Sequence, residues 1–180
     1  MKKISKPKPM ARGFALVELS IVIALLIIIA MLTLQSFSFY NRLFLHAEID
    51  RLYTLLVATS RRAAIDHQPH EISFDETGTY KYAAHQSSKN YTKEKLAQGV
   101  MFGLLPGIKG PPAQPKDLVK KPITFEKQRI TFAADGKAQA GTLYITDTKK
   151  QWQYAISAPV GTISYLRRYR YHHNRWELIP

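Results

Sequence analysis

Residues 14–34 read FALVELSIVIALLIIIAMLTL, and Glu18 is the only charged residue among them. Twenty-one residues of α-helix rise about 30 Å, which matches the hydrocarbon thickness of a bilayer. An acid inside such a run costs roughly 2.5–3.5 kcal/mol at the bilayer centre, and it usually marks a function. The run therefore predicts a membrane-spanning helix whose carboxylate has a specific role.

A short basic leader precedes this run. Residues 1–13 contain five basic side chains and no acid. The positive-inside tendency keeps such a leader cytoplasmic and places the C-terminal part of the chain outside. A secretory signal peptide would have a shorter apolar core and a small-residue cleavage site, whereas residues 19–34 run without a charge and no A-x-A site follows. A plain signal anchor fits the length but does not account for Glu18.

The residues around this acid resemble the processing site of type IV prepilins, with the sequence Gly13-Phe14-Ala15-Leu16-Val17-Glu18. In that family a dedicated peptidase cuts after the glycine and methylates the new N-terminal amine. The resemblance implies that residues 1–13 are a cleaved leader, that Phe14 is the methylated N-terminus and that Glu18 is the assembly carboxylate. It also implies three kinds of partner: other pilins or pseudopilins, the prepilin peptidase and the inner membrane, with the globular part periplasmic.

Elementary electrostatics agrees with this assignment. Methylation of an amine keeps its positive charge. Once subunits pack their apolar helices together, the ammonium of Phe14 and the carboxylate of Glu18 both lie in dry surroundings. Pairing the ammonium of one subunit with the Glu18 carboxylate of its neighbour offsets both desolvation costs and fixes the axial register.

The helical pattern continues beyond the apolar run. Residues 35–65 contain no Pro or Gly, and the charged side chains there lie mostly off the apolar face. The sequence therefore predicts one helix from Phe14 to about Ile65, with residues 14–34 in the membrane or fibre core and residues 35–66 packed on the outer domain. The apolar residues that recur at helical spacing are Leu45, Ile49, Leu52, Leu56 and Ala63.

Residues 67–180 carry strand signals and predict a β-rich globular domain, so that the fold class is α+β. Ile72 and Phe74 alternate with polar residues, a turn follows, and Tyr80 and Tyr82 resume the alternation. Residues 84–122 hold five of the ten prolines and predict a long loop or insertion around one short strand near 100–102. Further strands are predicted at 123–125, 129–132, 141–146, 151–157, 163–171 and 176–179, in one antiparallel sheet or two.

A second resemblance concerns the domain. Ile130-Thr131-Phe132 with Gly136, then Ala140-Gly141-Thr142-Leu143, then Tyr154-Ala155-Ile156 with Gly161, is similar to the C-terminal pattern of the GspH/FimT family of minor pseudopilins. Members cap or prime type II secretion pseudopili and type IV pili, and some take part in DNA uptake. The resemblance implies a minor pseudopilin of a type II secretion system. The alternative is a minor pilin of a type IV or competence pilus that binds DNA.

The C-terminal stretch from Tyr165 to Trp176 bears on that alternative, because it combines arginines with aromatic rings. Cations neutralise phosphates and rings stack on bases. If 164–173 is a strand, Arg168, Arg170 and His172 share one face. The competing interpretation is a strand with packed tyrosines and solvated arginines, and the G-R-x-R-like motif of DNA-binding members is absent after Gly161. The candidate nucleic-acid residues are Arg167, Arg168, Arg170, Arg175, Tyr169 and Tyr171.

Nothing in the sequence indicates catalysis or a cofactor. The chain has no cysteine, which removes disulfides, thiolate metal sites and thiol nucleophiles. His67 and His70 are three residues apart, but the intervening proline breaks a helix that would align them, and a loop is the simpler interpretation. We therefore expect a structural assembly protein that is not an enzyme and has no metal; an ordinary membrane-anchored periplasmic domain is a third alternative.

Overall fold

The computed structural model describes residues 12–83, 91–110, 117–158 and 165–179, and the side chains of residues 12–15 and 33–41 lie outside that description. Its first element is the helix α1, Arg12–Asp66, which has 55 residues. The chain divides into two compact units, Met1–Tyr40 and Asn41–Pro180. The C-terminal part of α1 therefore belongs to the second unit.

Strands follow α1 in the second unit, and they form two antiparallel sheets. Their bounds are β1 His70–Phe74, β2 Thr79–Ala83, β3 Tyr91–Lys95, β4 Val100–Phe102, β5 Arg129–Phe132, β6 Gly141–Asp147, β7 Gln153–Ala158, β8 Arg167–His172 and β9 Arg175–Ile179. Within the described ranges, the four-stranded sheet has the order β3-β2-β1-β5 and the five-stranded sheet has the order β4-β6-β7-β8-β9. The predicted α+β class, a long helix with antiparallel sheets, is confirmed.

One face of α1 supplies the centre of the core in the second unit. All five residues predicted for this face are fully buried. They pack in one cluster with side chains of both sheets, including Ile72 of β1 and Leu143 of β6. The helix therefore holds the two sheets together, because each sheet buries its apolar face against the same apolar stripe. The buried helix residues are Leu45, Ile49, Leu52, Leu56 and Ala63.

The turn after β5 is attached directly to α1. The hydroxyl of Ser60 donates a hydrogen bond of 2.7 Å to the carbonyl of Gly136. Gly136 has φ of +79°, and a Cβ atom there would lie 3.0 Å from the carbonyl oxygen of Ser60. Both the left-handed conformation and the close backbone approach therefore require glycine at this position.

The region 84–122 contains more structure than the sequence predicts. Besides β4, it contains β3, which pairs with β2 from Thr79↔Lys95 to Ala83↔Tyr91. The prediction missed β3 because it is an edge strand with a mostly exposed, polar sequence, YTKEK, and so lacks the apolar alternation on which the prediction depended. Residues 84–90 and 111–116, with three of the five prolines, lie outside the described residues.

The strand predicted at 123–125 is wrong. Ile123 forms an isolated bridge with Leu143 of β6, and a short 3-10 turn, Glu126–Gln128, follows. Phe125 is buried over Gly141, where a Cβ atom would come within 2.3 Å of the phenyl ring. The segment crosses the start of β6 and buries this ring. Its apolar residues therefore gave the same sequence signal as a strand. Of the predicted strand 163–171, residues 165–171 are described, and β8 includes only those from Arg167 onward, so Tyr165 and Leu166 precede the strand.

Candidate functional site

The N-terminal part of α1 carries the residues of the predicted processing and assembly site. Gly13 and Phe14 lie in the first turns of α1, and the Phe14 side chain is outside the described part of the chain. Glu18 is exposed, and none of the ion pairs among the described residues involves it. A carboxylate in this position can bind a cation on another molecule.

The surroundings of Glu18 are apolar on every side of the helix. Each described side chain between residues 16 and 32 is exposed within the chain, for example Leu16 at 68% and Met31 at 63%. A helix that is apolar all round is ordinarily buried in lipid or in protein. Within the described ranges, no helix combines the length and the apolar character that crossing a membrane requires.

The C-terminal candidate residues lie on the hairpin of β8 and β9. The two strands pair from Arg168↔Ile179 to His172↔Arg175, and His173 and Asn174 form the turn with φ values of 48° and 60°. Asn tolerates this left-handed conformation better than most residues, so the sequence His-His-Asn favours a tight turn here. The hairpin thus brings Arg170 and Arg175 to the same acid, Glu177.

Arg168 is held against the helix. Its guanidinium forms an ion pair with Asp50 of α1 and lies 4.5 Å from the ring centroid of Tyr53. The Arg168 side chain is 18% exposed, which is low for an arginine on a sheet. This arginine therefore attaches β8 to α1, a role that the sequence analysis did not foresee because nothing local links residues 50 and 168.

Arg170 and Arg175 are bound to Glu177 of β9, with N–O distances of 3.0 Å and 3.5 Å. The hydrogen bond from Arg170 lowers the pKa of the Glu177 carboxyl, and nearby His172 and Arg175 act in the same direction. Arg175 is still 74% exposed. Arg167 donates to the hydroxyl of Tyr165. Of the four arginines, Arg175 is therefore accessible to a ligand on the solvent side, and Arg167 has no ion pair with an acid among the described residues.

The two candidate tyrosines of β8 belong to a small cluster on the side of the sheet away from α1. Tyr169 is buried with Tyr144 and Ala155. The Tyr171 ring lies 5.1 Å from the ring of Trp176. The predicted alternation of the two faces of β8 is thus present, and Arg168 and Arg170 on one face are paired with acids rather than only solvated. Gly161 and the three residues after it lie outside the described ranges.

The two histidines near the end of α1 have different surroundings. His70 is buried at the start of β1, and its Nε2 lies 3.2 Å from a carboxylate oxygen of Asp66. His67 ends the helix with φ of 52°. Among the residues that the structure describes, no group of three or more His, Cys, Asp or Glu side chains could hold a metal ion.

A polar cluster between α1 and β3 escaped the sequence analysis. Tyr80 and Tyr82 of β2 donate hydrogen bonds of 2.9 Å and 2.8 Å to the two oxygens of Glu94, which also pairs with Arg51 of α1. These bonds, that from Tyr82 foremost, lower the pKa of Glu94. Burial first, and then the bond to Glu94, raise the pKa of Tyr80. The spacing of Tyr80 and Tyr82 was visible in the sequence, but Glu94 could not be placed without β3.

Gln153 of β7 is a second residue that the sequence analysis missed. It is fully buried, and its side-chain amide donates to the carbonyls of Gly103, Ile145 and Tyr154 at 3.0–3.2 Å. Its carbonyl oxygen accepts a hydrogen bond of 2.8 Å from the backbone N–H of Leu105. Gln153 thereby fixes the loop after β4 to the middle of the five-stranded sheet. No local sequence signal distinguishes such a glutamine from an exposed one.

The chain was compared with known families, curated proteins and solved structures. No protein-family model matches the chain, and no curated protein matches it. Among solved structures, the chain is similar to the minor pseudopilin EpsH from the Type 2 Secretion System of Vibrio cholerae, with a TM-score of 0.45 and 18% sequence identity. The similarity covers 69% of this chain and 94% of that chain.

Proposed function

We propose that this protein is a minor pseudopilin, a structural subunit that joins the tip or initiation complex of a type II secretion pseudopilus. The observation that carries the proposal is the N-terminal part of α1, where an exposed acid stands in a helix that is apolar on all sides. A helix of this kind needs a cover of lipid or of other helices. The second unit has its own core and does not need that part of α1 to bury its sheets.

Maturation explains why the acid stands where it does. Cleavage after Gly13 by a prepilin peptidase leaves the amine of Phe14 as the N-terminus, and an α-amino group has a reference pKa of about 7.7–8.0. The amine is therefore largely charged at neutral pH, and methylation keeps the charge. In an assembled fibre this ammonium pairs with Glu18 of a neighbouring subunit, since two unpaired charges in an apolar bundle would each be strongly destabilising.

Before assembly, residues 14–34 cross the inner membrane once, with the basic leader in the cytoplasm and the domain outside. The twenty-one-residue length and the five basic leader residues support this orientation. The apolar residues are then covered by lipid in the membrane and by neighbouring helices in the fibre. Other pilins or pseudopilins and the prepilin peptidase are the partners.

The experiment that tests the proposal is co-purification of Glu18 variants with partner pilins from the producing cell. Glu18→Gln should insert and fold, because removing a charge makes the segment more apolar. It should be lost from the complex, because the neighbour's ammonium has no partner. Ser20→Ala is the matched control, since the Ser20 hydroxyl only bonds the Leu16 carbonyl of its own helix at 2.8 Å. Recovery of Glu18→Gln equal to that of Ser20→Ala would refute the assembly role.

A further inference from the structure

One end of the five-stranded sheet gathers basic side chains from two separate turns. The register Thr146↔Gln153 and Gln153↔Tyr171 places the β6–β7 turn beside the β8–β9 turn. The first turn contributes Lys149 and Lys150, which are exposed, and the second contributes His173 and Arg175, which are also exposed. We call these four residues, together with Arg42 of α1, the basic rim.

Arg42 fixes where α1 meets this end of the sheet. Its guanidinium lies 4.9 Å from the ring centroid of Trp152, which follows the β6–β7 turn. Two exposed apolar side chains, Leu43 and Phe44, come next on the helix, at 49% and 57% exposure. The basic rim thus adjoins a tryptophan and two exposed apolar side chains, a combination typical of protein surfaces at the membrane–water interface.

The acids near the basic rim do not neutralise it. Asp147 is 1% exposed and points inward, where it accepts hydrogen bonds of 2.7 Å and 2.9 Å from the backbone N–H groups of Gln151 and Trp152. Glu177 is shared between Arg170 and Arg175. Lys149 and Lys150 form no ion pair among the described residues. The exposed charge of the two turns is therefore positive.

The connectivity of the chain indicates which anion meets this surface. Arg42 follows the last residue of the apolar run, Leu34, by eight positions, and a chain of that length spans at most about 29 Å. The polar layer of a bilayer is about 5–7 Å deep on each side, and charges act across a further Debye length of about 8 Å. If residues 14–34 lie in the membrane, so short a connection lets side chains around Arg42 reach the lipid headgroups.

We propose that the basic rim binds anionic phospholipid headgroups and holds the domain against the membrane before the subunit enters the fibre. The inference rests on the proposed function, since the tether is the membrane-spanning helix. Because the domain cannot diffuse away, a few weak contacts suffice. Each basic side chain near an anionic surface strengthens association by about fivefold, so that loss of Lys149 and Lys150 should weaken it by about 25-fold. Release of these contacts accompanies transfer into the fibre.

The absence of cysteine makes a direct test possible, because a single introduced cysteine carries a unique fluorophore. In the full chain, Thr148→Cys places the probe in the exposed β6–β7 turn. Ala134→Cys is the matched control, in the turn that contacts Ser60, eighteen residues further along α1 than Arg42. Each labelled protein is reconstituted into vesicles that carry a headgroup-attached quencher, made of phosphatidylcholine alone or with phosphatidylglycerol.

The proposal predicts strong quenching at Thr148→Cys in vesicles with phosphatidylglycerol, and at least about twofold weaker quenching in neutral vesicles or at 1 M salt, where the Debye length falls to about 3 Å. Adding Lys149→Gln and Lys150→Gln should abolish the difference, whereas Lys81→Gln and Lys93→Gln on the four-stranded sheet should not. The Ala134→Cys probe should remain unquenched. Equal quenching in both kinds of vesicle, or quenching of both probes alike, would overturn the proposal.

Two further outcomes separate this inference from the proposed function. If the chain stays with vesicles of either composition after an alkaline wash but Thr148→Cys shows no lipid dependence, the headgroup contact is wrong and the membrane helix stands. If the chain washes off both, the tether is absent and both proposals fail. If an oligonucleotide, and not phosphatidylglycerol, changes the probe signal through Lys149 and Lys150, the rim binds nucleic acid instead of lipid.

Discussion

Arg168 of β8 forms an ion pair with Asp50 of α1, across 118 positions of sequence. The guanidinium also lies over the ring of Tyr53, one turn further along the helix. A residue that sequence analysis assigns to a possible nucleic-acid site is thus part of the junction between helix and sheet. Its removal should change the stability of the fold before it changes any binding.

Arg168→Gln should lower the free energy of unfolding by about 1–2 kcal/mol, because a hydrogen-bonded ion pair with one half-exposed partner is lost together with the contact to Tyr53. Arg167→Gln is the control and should change the free energy of unfolding by less than about 0.5 kcal/mol, since Arg167 contacts the hydroxyls of Tyr165 and Tyr169 and forms no ion pair with an acid of α1 among the described residues. Denaturant unfolding of the full chain in detergent measures this, followed by the fluorescence of Trp152 and Trp176. Equal effects of the two substitutions would contradict the assignment.

The turn that rests on Ser60 offers a test of backbone packing. Gly136→Ala should destabilise the protein more than Gly99→Ala does. Both glycines have positive φ, at +79° and +85°, so both substitutions carry the left-handed cost of roughly 1–2 kcal/mol. Only at Gly136 does a Cβ atom meet backbone, at 3.0 Å from the Ser60 oxygen, which should add about 1 kcal/mol or more. If the same unfolding assay gave similar losses of stability at both sites, the turn at Gly136 would be able to move away from Ser60 at little cost.

Glu94 should make the free energy of unfolding depend on pH under acidic conditions. Hydrogen bonds from Tyr82 and Tyr80 lower its pKa in the folded state. The stability contributed by the ionised carboxylate is therefore complete above the unfolded-state pKa of about 4.3 and is lost as the pH falls through the folded-state value. Glu94→Gln should flatten the decline in unfolding free energy between about pH 5 and pH 3. An unchanged slope, equal to that of the exposed control Glu76→Gln, would exclude this role.

The tyrosines bonded to Glu94 should also make the free energy of unfolding depend on pH under alkaline conditions. Burial raises the pKa of Tyr80, and the hydrogen bond to Glu94 raises that of Tyr82. Both phenols thus favour the neutral form in the folded state, and the stability they contribute is complete below about pH 10 and is lost above it. Tyr80→Phe and Tyr82→Phe should reduce the loss of stability above that pH, which equilibrium unfolding at pH 9–11 measures. An identical alkaline decline in both variants would contradict the assignment.

Much of the fold could be predicted because its signals are local and periodic. The buried residues from Leu45 to Ala63 recur at helical spacing. In β1 and β2 apolar and polar residues alternate, and glycine-containing turns adjoin β2 and β6. The edge strand β3 could not be found, since a strand that buries almost nothing has no apolar alternation. Residues 123–125 were predicted as a strand because they are apolar and extended around Phe125, which is buried over Gly141. They do not form the repeated backbone hydrogen bonds that define a strand.

The candidate site residues also fall into those that a local motif indicates and those whose roles depend on long-range contacts. Gly13, Phe14 and Glu18 form a compact sequence motif, so their roles could be proposed from the sequence and stay predictions. The roles of Arg168 and Arg170 depend on Asp50 and Glu177, which long-range folding brings to them. Charge in a linear stretch indicates potential for binding a polyanion, whereas the acids that neutralise it are visible only in three dimensions.

Titration with labelled single-stranded DNA at several salt concentrations tests the alternative function. Arg168 and Arg170 are paired with Asp50 and Glu177, so replacing both should leave the slope of log K against log salt unchanged. Replacing Arg167 and Arg175 should make that slope shallower by about 1.4, which corresponds to two phosphate contacts. A slope near −3 that halves when Arg168 and Arg170 are replaced would instead support the DNA-binding pilin.

The intact mass of the protein recovered from its producing cell tests most directly whether the chain is processed and assembled as a pilin-like subunit. We expect a single mature species that begins at Phe14 and carries one extra methyl group. Gly13→Leu should leave the full-length precursor in the membrane, because a bulky side chain blocks access to the scissile bond. A native species that retains residues 1–13, or one that begins after Leu34, would show that the chain is not processed as a pilin.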